Sequence, residues 1–196
     1  MIGEFKMGMF DRKKVFEILK EHVKQPHLLK HCISVEVSMR AYAEKFNEDP
    51  EYWGAVGLLH DVDFEKYPTD HPNHTKELLS PYGYDDEFVQ NIESHCRGNQ
   101  EERRTNLQKV LVAVDEMPGF ILACALVRPD KSLDNLEVRS VKKKMKDKAF
   151  AKAVNRETLT NTAEALGMTV DEHIEFLINA LKEAAGKPDY QEIPLI

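Results

Sequence analysis

Histidine and aspartate recur through the first two thirds of the chain at or beside positions that helical periodicity turns inward: His31, the pair His60-Asp61, His71, His95 and Asp115. Imidazole and carboxylate donors without thiolate suit divalent Fe, Mn, Co, Ni, Zn or Mg, and a set this large exceeds what one ion needs. Taken alone, His60-Asp61 reads as a core histidine beside a solvated acid. Taken together, these side chains come from separate helices that each aim one or two metal-competent groups at the interior, and independent placement is a poor account of that. One or two divalent ions per chain is the resulting expectation.

The elements that must carry these side chains follow from spacing. Asp49-Pro50 supplies an N-cap and a first-turn proline, and Trp53, Val56 and His60 then recur at i, i+3 and i+7 on one stripe. Gly54 and Gly57 each cost about 1 kcal/mol in a helix, which implies the close approach of another backbone. Before them, Asp11 caps a helix with Val15, Phe16, Leu19 and Val23 that ends ahead of Pro26. Leu28, Cys32, Val35, Met39, Tyr42 and Phe46 form a long stripe with His31 at its edge, either a surface histidine or a ligand. Asp70 or His71 would cap a short helix with Pro72 in its first turn, which places His71 at a helix mouth. Asp85 or Asp86 starts the next helix, where Phe88, Ile92 and His95 share a face and Cys96-Arg97-Gly98 closes the element. Asp115 follows Leu107, Leu111 and Val114 on a further stripe, and a carboxylate there needs a cation or several donors beside it.

Pro118-Gly119 should kink that segment before Arg128-Pro129 ends it. From Leu133 the helices shorten and become lysine-rich. Asn155 caps one that closes at Gly167, Thr169 and Glu172 form a capping box for a last helix through Ala185, and the tail either docks through Ile193, Leu195 and Ile196 or stays mobile. No β-alternation, internal repeat or low-complexity segment is present. The fold class is therefore all-α, with a metal-binding helical domain over residues 1–128 and a helical extension packed on it over 129–196.

Composition sets limits on the partners. A formal net charge of −7 argues against a nucleic acid polymer as the main partner. Cys32, Cys96 and Cys124 form no C-x-x-C and read as ordinary buried thiols. The N-terminus, mixed in charge and interrupted by Gly3 and Gly8, does not read as a signal peptide, and no apolar run reaches the ~18 residues that span a bilayer. The expectation is a cytoplasmic protein without a membrane partner. A homodimer through the apolar C-terminal residues or the Phe120-Ile121-Leu122 face remains open.

The order His31, His60-Asp61 and Asp115 resembles the H…HD…D pattern of the HD-domain superfamily, all-helical metal-dependent phosphohydrolases, over roughly residues 25–125. Its most specific part is the apolar helix leading into His60-Asp61. His71-Pro72, followed by Glu77-Leu78-Leu79, resembles the H-P…E-I-L segment of binuclear members such as the HD-GYP group, and His95 falls where those members place a further ligand. The resemblance implies an HD-domain-like helical bundle with a helical C-terminal extension. It also implies that Asp61 bridges two ions, that His31, His60 and Asp115 complete one site, and that His71 and His95 complete the other. The Gly-Tyr-Pro signature is absent after His95, so the cyclic-dinucleotide substrate does not carry over. The chain after Arg128 resembles only uncharacterised, C-terminally extended members.

The implied function is hydrolysis of a phosphoester, of a nucleotide or a small phosphorylated metabolite, by metal-activated water. Asp61 would be catalytic. Asp63, with Glu65, would relay a proton or stand as a solvated loop acid. Arg97, Arg128, Lys131 and Lys143 in the Lys142 to Lys144 cluster would neutralise phosphate oxygens or form a solvated face. His74 is a supporting or exposed histidine, and His22, His27 and His173 receive no role. Two alternatives use the same ligands: a diiron oxygenase, which some HD-domain proteins are, and a non-catalytic module that binds a nucleotide or a metal.

Overall fold

A computed structural model describes residues 8–96 and 102–196, and no strand occurs among the described residues. The first helix, α1 (Arg12–His22), starts where the Asp11 carboxylate accepts the Lys14 N–H at 3.2 Å. Pro26 opens α2 (Pro26–Phe46), and Asn47 ends it in the left-handed region at φ 57°. The Asp49 carboxylate accepts the Glu51 N–H at 2.9 Å to begin α3 (Pro50–Leu59).

Next come α4 (Thr75–Leu79), α5 (Asp86–Glu93), which starts at Asp85, and α6 (Asn106–Asp115), which starts from a Thr105/Gln108 capping box. The chain continues through α7 (Met117–Leu126), α8 (Val138–Lys146), α9 (Arg156–Ala165), capped by Asn155, and α10 (Val170–Ala185), capped by Thr169 and Glu172.

The pair α2 and α3 forms the centre of the molecule, and the glycines permit it. A Cβ on Gly57 would stand 2.8 Å from Met39 Cγ and 3.1 Å from both Glu36 Cα and Val35 O, so the backbones of α2 and α3 approach closely. At Gly54 the neighbour is the Arg40 side chain instead, with Nε 2.5 Å from such a Cβ. Arg40 is held there by the buried Glu36 carboxylate at 2.9 Å, which Arg12 of α1 also reaches at 2.8 Å. One apolar core runs from Val15 through Tyr42, Leu58, Phe88, Leu111 and Phe120 to Leu177 and Leu195. The last helix packs on α2 and α7, and α9 packs on α6. Leu195 is buried and Ile193 and Ile196 pack against the core, so the tail docks.

Three local expectations need correction. Residues 60–74 form successive turns, the His71-Pro72 peptide is cis, and the helix begins only at Thr75, so His71 does not sit at a helix mouth. His95 lies in a turn beyond the end of α5. Pro118 does not kink a continuous helix; lacking an N–H, it takes a first-turn position in a new one, and the chain breaks at Glu116. Among the described residues no helix is long and apolar enough to cross a membrane.

Candidate metal centre

Two histidine pairs face each other across one carboxylate. His31 Nε2 and His60 Nε2 stand 3.0 Å apart, as do His71 Nε2 and His95 Nε2. Asp61 touches all four rings: its Oδ2 is 3.3 Å from His31, and its Oδ1 is 3.6 Å from His60, 3.3 Å from His71 and 3.5 Å from His95. Asp115 Oδ1 reaches only the first pair, at 3.3 Å from His31 and 3.5 Å from His60. The six residues expected as ligands therefore converge on one place, arriving from α2, from the end of α3, from two turns and from the end of α6.

The donor chemistry fits divalent ions. The other ring nitrogens are already engaged: His60 Nδ1 with Gly57 O at 2.8 Å, His95 Nδ1 with Ile92 O at 2.6 Å and His71 Nδ1 with Asp63 Oδ1 at 2.5 Å. A carbonyl only accepts, so Nδ1 of His60 and of His95 carries the proton and Nε2 presents its lone pair to the cluster. Two donors each about 2.1 Å from one ion, at angles of about 90–109°, stand about 3.0–3.4 Å apart, which is the spacing seen within each pair.

The electrostatics demand positive charge at the same place. Burial lowers the His31 pKa, but hydrogen bonds donated to Asp115 and Asp61 override it and hold the imidazole at about 10. Burial likewise opposes charge on His71, yet Asp63, with Cys96 and Asp61, raises it to about 9, and His95 is held well above its ordinary value against the same burial. Desolvation disfavours the charged carboxylates, but the surrounding imidazoles hold Asp61 and Asp115 well below the usual range. The carboxylates thus favour a cation here, whether proton or metal. Asp115, expected to need a neutralising partner, finds one in this cluster.

Residues 28–119 match the family model described as HD domain. Over that segment, which holds His31, His60, Asp61, His71, His95 and Asp115, the chain is similar to the HD domain. Over 143 residues it is 27% identical to the protein named Ribonuclease Y of Malacoplasma penetrans (strain HF-2), a match that covers 68% of this chain and 30% of that relative. No solved structure matches the chain. The HD domain suggests metal-dependent phosphohydrolase activity in general, and its His/Asp groups could hold divalent metal.

Around this cluster several side chains depart from their sequence-based roles. Asp63 is not a solvated acid: it is fully buried, holding His71 through Oδ1 and the His74 N–H through Oδ2 at 3.1 Å. The turn after His60 folds it inward. Glu65 accepts the N–H groups of Lys24 and Gln25 at 2.7 and 3.0 Å, closing the exposed start of α2. Arg128 is chelated by Asp130 at 3.0 and 3.1 Å, Lys131 is an exposed residue at φ 44°, and Lys143 is exposed near the end of α8. Among the described residues none of these three has a hydrogen bond or ion pair to the cluster. Arg97 lies outside the described residues.

Four residues given no role acquire one. Arg103 donates to the Ser94 and His95 carbonyls at 3.1 and 3.5 Å, clamping the turn that carries His95. Glu116 follows Asp115, and burial first, then the Asp115 carboxylate, raises its pKa. Cys96, expected to be a buried thiol, is exposed; burial opposes its ionisation, but His71 and His95 bring it down to about 7, whereas the buried Cys32 and Cys124 are pushed up. His173 in α10 is fully buried, taking the Tyr42 hydroxyl on Nδ1 at 2.6 Å and donating from Nε2 to Ala113 O at 3.1 Å. That carbonyl lies in the last turn of α6, where helix carbonyls lack helical partners, so the C-terminal extension steadies the helix that presents Asp115. Sequence offered one signal only, the place of His173 on the apolar stripe of α10.

Proposed function

We propose that the chain is a metal-dependent phosphohydrolase acting on the phosphoester of a nucleotide or a small phosphorylated metabolite. The observation that carries this reading is the sharing of Asp61 between two histidine pairs of equal spacing. His31, His60, Asp61 and Asp115 would hold one divalent ion, and His71, His95 and Asp61 a second. Divalent ions held there would lower the pKa of a bound water and polarise a phosphoryl oxygen.

The chain's own residues prepare that chemistry. Asp63 and the carbonyls of Gly57 and Ile92 fix the ring orientations, so each Nε2 faces inward before anything binds. Asp63 is thus a positioning residue. Arg103 holds the turn that carries His95 by donating to the Ser94 and His95 carbonyls.

The test is hydrolysis of a panel of nucleotides, sugar phosphates and a short oligoribonucleotide by protein loaded in turn with each of the six metals. Turnover should vanish in Asp61→Ala with helical content unchanged; retained turnover refutes the mechanism. The name of the matched relative favours a second reading, cleavage of an RNA phosphodiester. Selective turnover of the oligoribonucleotide would move the assignment there.

A further inference from the structure

We propose that Cys96 is a thiolate ligand of the metal position formed by His71 and His95, which makes the two positions of the centre chemically unequal. This rests on the metal-binding reading above. One donor atom each from His71, His95 and Cys96 forms a group whose members all lie within 4.8 Å of one another. The Nδ1 atoms of both rings are engaged by Asp63 and Ile92, so Nε2 is the nitrogen that each ring has left for the space it shares with the sulfur.

Donor count points the same way. The His31/His60 position is served by two carboxylates, Asp61 and Asp115, whereas the carboxylate contacts of His71 Nε2 and His95 Nε2 among the described residues are to Asp61 alone. A thiolate there completes four chain donors at each position, two nitrogens and two oxygens at one and two nitrogens, one oxygen and one sulfur at the other. Exposure separates Cys96 from the other cysteines, since Cys32 and Cys124 are buried in the core.

The consequence is metal sorting within one centre. Carboxylate-rich coordination accommodates Mg or Mn, whereas a sulfur donor shifts preference to Zn, Co or Fe. Alkylation of Cys96 would then weaken one position and spare the other.

The deciding experiment is anaerobic titration of the metal-free protein with Co(II), followed by absorbance. Two equivalents should bind, and a near-ultraviolet thiolate-to-cobalt charge-transfer band should grow with only one of them. Cys96→Ser should keep the visible d–d bands, lose the charge-transfer band and bind the corresponding equivalent at least about tenfold more weakly. Asp115→Ala, altered only at the other position, should keep the charge-transfer band. Two equivalents bound by the parent without that band, or an undiminished band in Cys96→Ser, would overturn the thiolate assignment and leave the metal centre standing. Absence of cobalt binding by the parent would overturn the centre and the assignment with it.

Discussion

Replacing His173 with phenylalanine should remove the acid sensitivity that this buried imidazole confers on the fold between pH 6.5 and about 4. The folded chain leaves the imidazole no room for a second proton, because Nε2–H donates to Ala113 O while Nδ1 accepts from the Tyr42 hydroxyl. Burial pushes the pKa from 6.5 down to about 4, opposed only by the Ala113 hydrogen bond. With the folded pKa below the unfolded value, the unfolded chain binds the extra proton first. Stability is therefore complete above pH 6.5 and is lost as pH falls towards 4. A gap of about 2.5 pH units corresponds to about 3 kcal/mol when titration is complete, and to about 2 kcal/mol at pH 5.

The assay is urea unfolding at pH 7.5 and pH 5.0, with chelator throughout so that metal binding does not enter. His31, His71 and His95 have raised folded pKa values, so they add stability as pH falls through 6.5, but equally in both proteins, and they cancel in the difference. Asp61 and Asp115 are held below 3.8, and their contribution is lost only at lower pH. His22 is lowered by burial, but it is common to both proteins and cancels in the difference. The variant should start less stable at pH 7.5, since Tyr42 and Ala113 lose their partner at about 1–3 kcal/mol for each buried group left unpaired. From there it should lose about 2 kcal/mol less than the parent on going to pH 5.0. Equal losses in the two proteins would refute a neutral His173 bridging α10 to α6.

Asp63→Asn should leave helical content intact while lowering affinity at the His71 side of the centre about 10–100-fold, read as metal bound per chain by elemental mass spectrometry; unchanged stoichiometry and affinity would count against the positioning role. Gly57→Ala gains helix propensity but forces a Cβ to 2.8 Å from Met39 Cγ and 3.1 Å from the α2 backbone, so a net destabilisation of about 1–2 kcal/mol should appear as a lower Tm. Glu36→Gln leaves Arg12 and Arg40 beside a neutral buried amide and should cost about 3 kcal/mol in chemical denaturation, with an effect near zero speaking against the buried triad.

Much of the fold is legible in the residues themselves because helix starts are local events. Asp11, Asp49, Asp85, Asn155 and the capping boxes at Thr105 and Thr169 each act on an N–H two or three residues away, so sequence spacing suffices to place them. The Gly57 approach was legible for a related reason: a glycine inside an apolar helix has few other uses. The types of the metal donors were equally plain, since His31, His60, Asp61, His71, His95 and Asp115 each sit beside a helical stripe or a turn signal. Where local signals competed, as at Pro72 and Pro118, the sequence allowed more than one backbone path, and packing of the neighbouring elements selected the observed one.

Sequence by itself determined an all-α chain, its caps and glycine contact, and a set of nitrogen and oxygen donors suited to divalent ions. Tertiary structure alone decided which donors pair, that Asp61 lies between both pairs, and that Asp63 turns inward. It also placed Cys96 beside two histidines and His173 under the carbonyl of Ala113, 60 residues away in sequence. The physical reason is distance along the chain. A cap or a stripe is fixed by a few neighbouring dihedral angles, whereas a shared carboxylate depends on the relative placement of four elements, which only the packing of the whole core determines.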